Sequence, residues 1–162
     1  MQDRAILNME IDLGDFFREK IPPIIDSIKG KEQPAWGMMT VHHMLEHLVL
    51  PLNFAIGTFK VPVFTPAEKL PRQREFLYSV FGLPKNFQAP FLPAGQNPPL
   101  MTADIEEAKV FLKQTIQNFL ESVNAPGFIT EMHPVFGPLN KEEWMIFQYK
   151  HFSHHFIQFG LL

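Results

Sequence analysis

The chain contains no cysteine. This absence excludes a disulfide framework, a metal site built on thiolates and a cysteine nucleophile. Any bound metal ion must therefore be held by nitrogen and oxygen atoms, which the seven histidines and the seventeen acidic residues can supply.

Long runs of one charge and long hydrophobic runs are missing as well. The 14 basic and 17 acidic residues give a formal charge of -3 and a pI near 6.1, which argues against nucleic acid as a partner. No apolar run reaches membrane-spanning length, and residues 1–5 contain charges where a signal peptide would develop its apolar core. We therefore expect a cytoplasmic protein without membrane contact.

Hydrophobic residues, by contrast, are plentiful. They make up 46% of the 162 residues, which is enough to build one sizeable core. A chain of this length is close to the usual size of one domain. We therefore predict a single helical domain that spans residues 1–162.

Four stretches show the apolar periodicity of amphipathic helices. Thr40, Thr102 and Asn140 are predicted N-caps for the second, third and fourth helices, because their side-chain oxygens can accept from unpaired amides. Pro22 and Pro23 should break the first helix or begin it afresh. The predicted helices cover about residues 12–29, 41–56, 103–124 and 141–159.

The segment between the second and third helices is rich in proline. Residues 60–101 hold eight of the fifteen prolines, which indicates a long ordered crossover with one short helix near residues 72–81. No alternation strong enough to predict a strand is present. The prediction is an all-α four-helix bundle with a long Pro-rich crossover between helices 2 and 3.

The seven histidines fall in three places: residues 42–47, position 133 and residues 151–155. On a helical wheel of ~100° per residue, His151 and His155 lie in the middle of the apolar face of the last helix. They are one turn apart, so both imidazoles can reach one ion. His154 falls on the flank of that face and is a weaker candidate.

The second helix adds a third candidate ligand. His42, Glu46 and Asn53 form its narrow polar arc, and His47 lies well away from that arc. We therefore predict that His47 points inward and His42 outward. His43 also leans inward, either as a partner behind the ligands or as a competing ligand.

The simplest alternative is that these histidines are buried and satisfied by hydrogen bonds. Two adjacent neutral imidazoles on an apolar face, however, need partners for four ring nitrogens, and one metal ion would account for two of them. Three histidines without a matching carboxylate leave a coordination position open, as in catalytic metal sites. Ser153 beside His154 lacks a third group and predicts a serine nucleophile only weakly.

Several segments together resemble the DinB-like (YfiT-like) superfamily of proposed metalloenzymes. In that superfamily one histidine lies on helix two and a His-x-x-x-His motif lies on the last helix. Here Gln158 follows the second histidine of that motif, whereas the arginine that many relatives carry after it is replaced by Phe156. The matching segments are residues 36–37, 44–48, 133–139, 143–144 and 150–155.

The resemblance implies a four-helix bundle of DinB type in which His47, His151 and His155 bind a divalent ion, most often zinc or nickel. It also implies a homodimer, since many relatives pair. Because some members are thiol-dependent transferases, the resemblance points to a metal-dependent transferase or hydrolase-like enzyme acting on a small molecule. His133 and His43 are then the candidate acid and base.

Two other functions stay open on the sequence alone. The chain could be a non-catalytic binding or scaffold protein that a metal ion stabilises, with the crossover offered to partners. A haem or apolar-ligand pocket among the Phe and Met side chains is the third hypothesis. Under each hypothesis in which the histidines bind a metal ion, we expect the metal affinity to decrease below about pH 6.5, where free histidine becomes protonated.

Overall fold

The computed structural model describes residues 12–162, which form a mostly helical protein with one small antiparallel sheet. The N-terminal segment in which no signal peptide was predicted lies outside this range. Within residues 12–162, no helix combines the length and the apolar character needed to cross a membrane. The helices are α1 (Leu13–Asp15), α2 (Ile21–Ser27), α3 (Val41–Ala55), α4 (Leu70–Tyr78), α5 (Ile105–Asn124) and α6 (Lys141–Gln158), and the strands are β1 (Glu131–His133) and β2 (Gly137–Leu139).

Of the two alternatives predicted for the first helical stretch, the second is confirmed: α2 begins afresh at Ile21, directly before Pro22 and Pro23, and the helix is not interrupted. A π-helical turn, Phe16–Lys20, joins α1 to α2, and the amide of Ile21 donates to the carbonyl of Phe16, five residues earlier. A proline ring clashes with the carbonyl four residues before it, and the wider turn relieves that clash. Pro22 and Pro23 therefore occupy the first turn of α2, where missing amide donors cost little.

Two of the predicted helix starts are confirmed. The side chain of Thr40 accepts from the amide of His43 at the start of α3. At the start of α6, Asn140 and Glu143 form a full capping box, in which each side chain accepts from the amide of the other residue. These local hydrogen bonds fix where the two histidine-bearing helices begin.

The predicted start of the third helix is wrong by two residues. Asp104, not Thr102, is the N-cap of α5, and its carboxylate accepts from the amide of Glu107. The hydroxyl of Thr102 donates instead to the carboxylate of Glu46 on α3, at 2.6 Å. A long-range partner thus occupies the side chain that the sequence assigned to a local cap.

A β-hairpin before α6 was not predicted. Strands β1 and β2 contain three residues each, and His133 pairs with Gly137 at the turn. Strands this short cannot show a recognisable alternation. The hairpin packs on α3 and places His133 beside the aromatic ring of Phe147, with ring centroids 4.2 Å apart.

The core lies between α2, α3, α5 and α6. Phe17, for example, contacts Phe119 of α5 and Phe152 of α6 edge to face, at centroid distances of 6.3 and 5.3 Å. The apolar residues Val110 and Phe111 of α5 are expected from the sequence to belong to the core as well. Their exposed fractions of 64% and 38% contradict that assignment, because α5 buries the face that carries Leu112, Ile116 and Phe119 instead.

Lys150 fastens the crossover to α6. On the helical wheel of α6, Lys150 points away from the face of His151 and His155, yet its side chain is completely buried, because the crossover covers that side of the helix. Its ammonium group donates to the carbonyls of Phe76, Ser79 and Phe81 at 2.8–3.0 Å. Burial lowers the pKa of Lys150 to about 8, so the group is still mostly protonated at pH 7.

Replacing this lysine should loosen the crossover. Lys150→Met keeps the length of the side chain but removes three charge-assisted hydrogen bonds, so we expect the free energy of unfolding to fall by about 2–3 kcal/mol. Urea denaturation followed by circular dichroism measures this difference. Lys31→Met, at an exposed lysine, is the matched control and should change stability little. Equal stability of the two variants would contradict the anchoring role.

Candidate metal centre

Three of the seven histidines converge on one point. His47 comes from α3, and His151 and His155 come from successive turns of α6, which packs against α3. The Nε2 atoms of His47 and His151 are 3.0 Å apart, and one ring nitrogen from each of the three residues lies within 4.8 Å of the others. This group, called the His triad below, can hold one metal ion.

The His triad is neutral at pH 7. Burial, and secondarily the charge of a protonated His154, lowers the pKa of His47 to about 4. Burial also holds the pKa values of His151 and His155 well below the usual value, and mutual repulsion among the imidazoles adds to the effect. All three rings therefore keep a lone pair available for an ion.

Gln158 fixes the proton of His155. The Oε1 of Gln158 lies 2.8 Å from Nδ1 of His155, and its Nε2 donates to the carbonyl of Trp36 at 2.8 Å. Because an amide oxygen can only accept, Nδ1 carries the proton and Nε2 presents its lone pair to the His triad. Gly37 has φ +78, and a Cβ there would lie 3.2 Å from Gln158 Nε2, so glycine protects this contact.

The contact between His47 and His151 has the length of a hydrogen bond and is also close to the spacing of two ligands of one metal ion. Nδ1 of His151 is buried without a hydrogen-bond partner, so either tautomer of that ring leaves one nitrogen unsatisfied. In a tetrahedral zinc site with Zn–N distances of 2.0–2.1 Å, ligand nitrogens lie about 3.3 Å apart, close to the observed 3.0 Å. Imidazole nitrogen also suits zinc and nickel.

His133, a candidate acid or base, is held in a fixed protonation state. Its Nδ1 accepts from the amides of Val135 and Phe136 at 3.0 and 3.2 Å, so the proton resides on Nε2. Burial lowers its pKa to about 3. His133 lines the cavity described below, but at pH 7 its neutral ring is a hydrogen-bond donor rather than a general base.

The remaining histidines surround the His triad without joining it. His43, the other candidate acid or base, lines the cavity, and its Nδ1 lies 2.7 Å from the hydroxyl of Thr40. His154 also lines the cavity, with its ring 5.4 Å from that of Trp36. His42 is turned away from the cavity as predicted, but it is largely covered, because its Nε2 contacts the hydroxyl of Thr102 at 2.7 Å.

Glu46 and Asn53, two members of the polar arc of α3, are buried, which corrects the exposure expected of a polar arc. The carboxylate of Glu46 accepts from the amides of Met101 and Thr102 and from the Thr102 hydroxyl, at 2.6–3.0 Å. Burial alone would raise the pKa of Glu46, but these hydrogen bonds hold it below the usual value. Asn53 is buried too, and it donates to the carbonyl of Val49. The returning crossover covers this face.

The His triad opens into a cavity of about 820 Å³. Its walls come from α3, α6, the hairpin and the crossover, and they are mostly apolar. Among residues 12–162, the lining includes one carboxylate, Glu46, and neither lysine nor arginine. The aromatic side chains that line it are Trp36, Phe54, Phe76, Phe87, Phe91, Phe136 and Phe147, besides the histidines.

Comparisons of the chain with protein-family models, with curated proteins and with solved structures give no match.

Proposed function

We propose that the chain is a metal-binding protein in which His47, His151 and His155 hold one divalent ion, zinc or nickel. The observation that carries this proposal is the convergence of three neutral imidazoles, one of them oriented by Gln158, at the wall of a cavity. The same arrangement supports the hypothesis that the chain is a four-helix bundle of DinB type and a member of the DinB-like superfamily.

We propose further that the site is catalytic and acts on a small molecule as a metal-dependent transferase or hydrolase. Three protein ligands leave a position open, and an ion there would act as a Lewis acid toward water or a thiol. The cavity volume lies in the range of about 300–1,000 Å³ found for small-molecule sites. Its walls are mostly apolar, and the N–H group at Nε2 of His133 supplies a hydrogen-bond donor on the cavity wall.

A metal-stabilised binding or scaffold protein is the second candidate. The observation in its favour is that His47 and His151 are 104 residues apart in the chain, so one ion would join α3 to α6. An ion that links distant segments stabilises the fold whether or not it takes part in chemistry. Reactivity of the loaded protein toward thiols distinguishes the two candidates.

Elemental analysis of the purified protein tests the metal site directly. We expect about one divalent ion per chain in the wild type and less than a tenth of that in His47→Ala, His151→Ala and His155→Ala, because the remaining two imidazoles bind far more weakly. His154→Ala is the matched control, since this histidine lines the cavity on α6 but stands outside the His triad. Equal metal content in all variants would contradict the assignment.

A further inference from the structure

The cavity beside the His triad carries unusually exposed apolar side chains. Met38, Phe87 and Met101 all line it, with exposed fractions of 60%, 58% and 62%. Large apolar side chains that stay accessible inside a concave site mark a surface for an apolar ligand. Phe54 and Phe91 pack edge to face on the same wall, at a centroid distance of 5.5 Å.

The charges around the His triad limit which chemical group of a ligand can occupy the open position at the ion. A divalent ion held by three neutral imidazoles would keep its full positive charge, and no carboxylate belongs to the His triad. Glu46 cannot supply the missing anion, because its carboxylate is already bound by the amides and hydroxyl of residues 101–102. The open position therefore favours an anionic donor brought by the ligand.

The rest of the ligand should carry no charge. The described cavity lining offers neither a lysine nor an arginine to pair with a second anionic group. The nearby ammonium of Lys85 lies over the ring of Trp36, at 4.4 Å from its centroid. A second ionised group inside these walls would be desolvated without a partner.

We propose that the cavity binds small amphiphilic molecules with a single anionic oxygen or sulfur donor at one end and an uncharged, apolar body. The donor takes the open position at the His triad, and the body lies against the aromatic walls contributed by α3 and the crossover. This inference rests on the proposed metal site and adds the chemical class of its ligand. It excludes highly charged cosubstrates from this cavity.

A chain-length series of hydroxamates tests the ligand class. Cobalt(II)-loaded protein is titrated with acetohydroxamate, butanohydroxamate, hexanohydroxamate and octanohydroxamate, and binding is followed by the visible absorption of the ion. We expect about fourfold tighter binding for each added methylene that enters the cavity. Suberic monohydroxamate, which matches the longest probe in length but ends in a carboxylate, should lose most of that gain. A flat series, or equal affinity for the two eight-carbon probes, would overturn the proposal.

A pair of phenylalanine variants locates the binding surface. Phe87→Ala should weaken octanohydroxamate about fivefold while leaving acetohydroxamate and cobalt binding unchanged, because it removes only apolar wall. Phe59→Ala, at a phenylalanine of similar exposure (49%) outside the cavity lining, should change none of the three. Failure to bind cobalt would refute the metal site and the ligand class together. Normal cobalt binding without these ligand effects would refute the ligand class alone.

Discussion

Zinc should raise the free energy of unfolding of the wild type by about 4 kcal/mol when the free ion is present at a thousand times its dissociation constant. The effect is large because the ion binds the folded chain, in which His47 meets His151 and His155, and has no comparable site in the unfolded chain. Urea denaturation in zinc-buffered and in chelator-treated samples measures it.

A substitution at His151 tests whether this residue is a metal ligand or an ordinary core histidine. His151→Leu removes an imidazole whose Nδ1 is buried without a partner, so the metal-free variant should be as stable as the metal-free wild type or more stable. Its stability should no longer respond to zinc. His154→Ala should keep the response. A zinc effect of equal size in His151→Leu would show that the ion stabilises the fold from another site.

The histidine positions could be predicted because they depend on local information. A four-residue spacing on an apolar face places His151 and His155 side by side in any α-helix, and the caps at Thr40 and Asn140 fix where α3 and α6 start. The inward orientation of His47 followed from its distance to the polar arc. None of these steps requires knowledge of which segment packs on which.

The burial of polar side chains could not be predicted, because it depends on segments that are distant in the sequence. A helical wheel separates an apolar face from a polar one, but it cannot tell that another segment will cover the polar face. Glu46 and Lys150 both lie under the crossover, paired respectively with Thr102 and with three backbone carbonyls. Their partners are more than fifty residues away in the chain, so no local pattern reveals them.

The cavity could not be predicted from the sequence for a related reason. Its walls combine α3 and α6 with residues 83–101, a Pro-rich segment without regular periodicity. Proline content predicted an ordered crossover, and α4 lies close to where a short helix was expected. The path of the segment over the His triad, however, is set by contacts such as those of Lys150 and Glu46, which depend on the folded structure.

Acid should unfold the metal-free protein. The folded-state pKa is about 4 for His47, about 3 for His133, and well below the usual value for His151 and His155, whereas the unfolded chain titrates near 6.5. Between pH 6.5 and about 4 the unfolded state therefore binds protons that the folded state does not. Stability is fully present above pH 6.5 and is lost as the pH falls through this window.

The expected loss of unfolding free energy on acidification is large enough to measure easily. Each shifted histidine costs up to about 1.4 kcal/mol per pH unit below 6.5, so His47 and His133 together remove about 3 kcal/mol by pH 5.5, against a typical total of about 5–15 kcal/mol. His151 and His155 add to this loss in the same direction. Urea denaturation of the chelator-treated protein at pH 7.5 and 5.5 tests this. In His133→Asn, whose side chain can still accept an amide hydrogen bond, the loss should shrink by about 1 kcal/mol. Stability that is equal at the two pH values would contradict the burial of neutral imidazoles.

The same pKa values change the pH dependence expected of metal binding. From free histidine, the affinity was expected to fall below about pH 6.5. In the folded protein, protons compete directly with the ion at His47 only near pH 4, because burial already disfavours the charged imidazole. Between these values the ion should leave when the chain unfolds rather than when a ligand is protonated. Metal release and loss of helical circular dichroism should therefore coincide on acidification, whereas release from a fully helical protein near pH 6 would contradict this coupling.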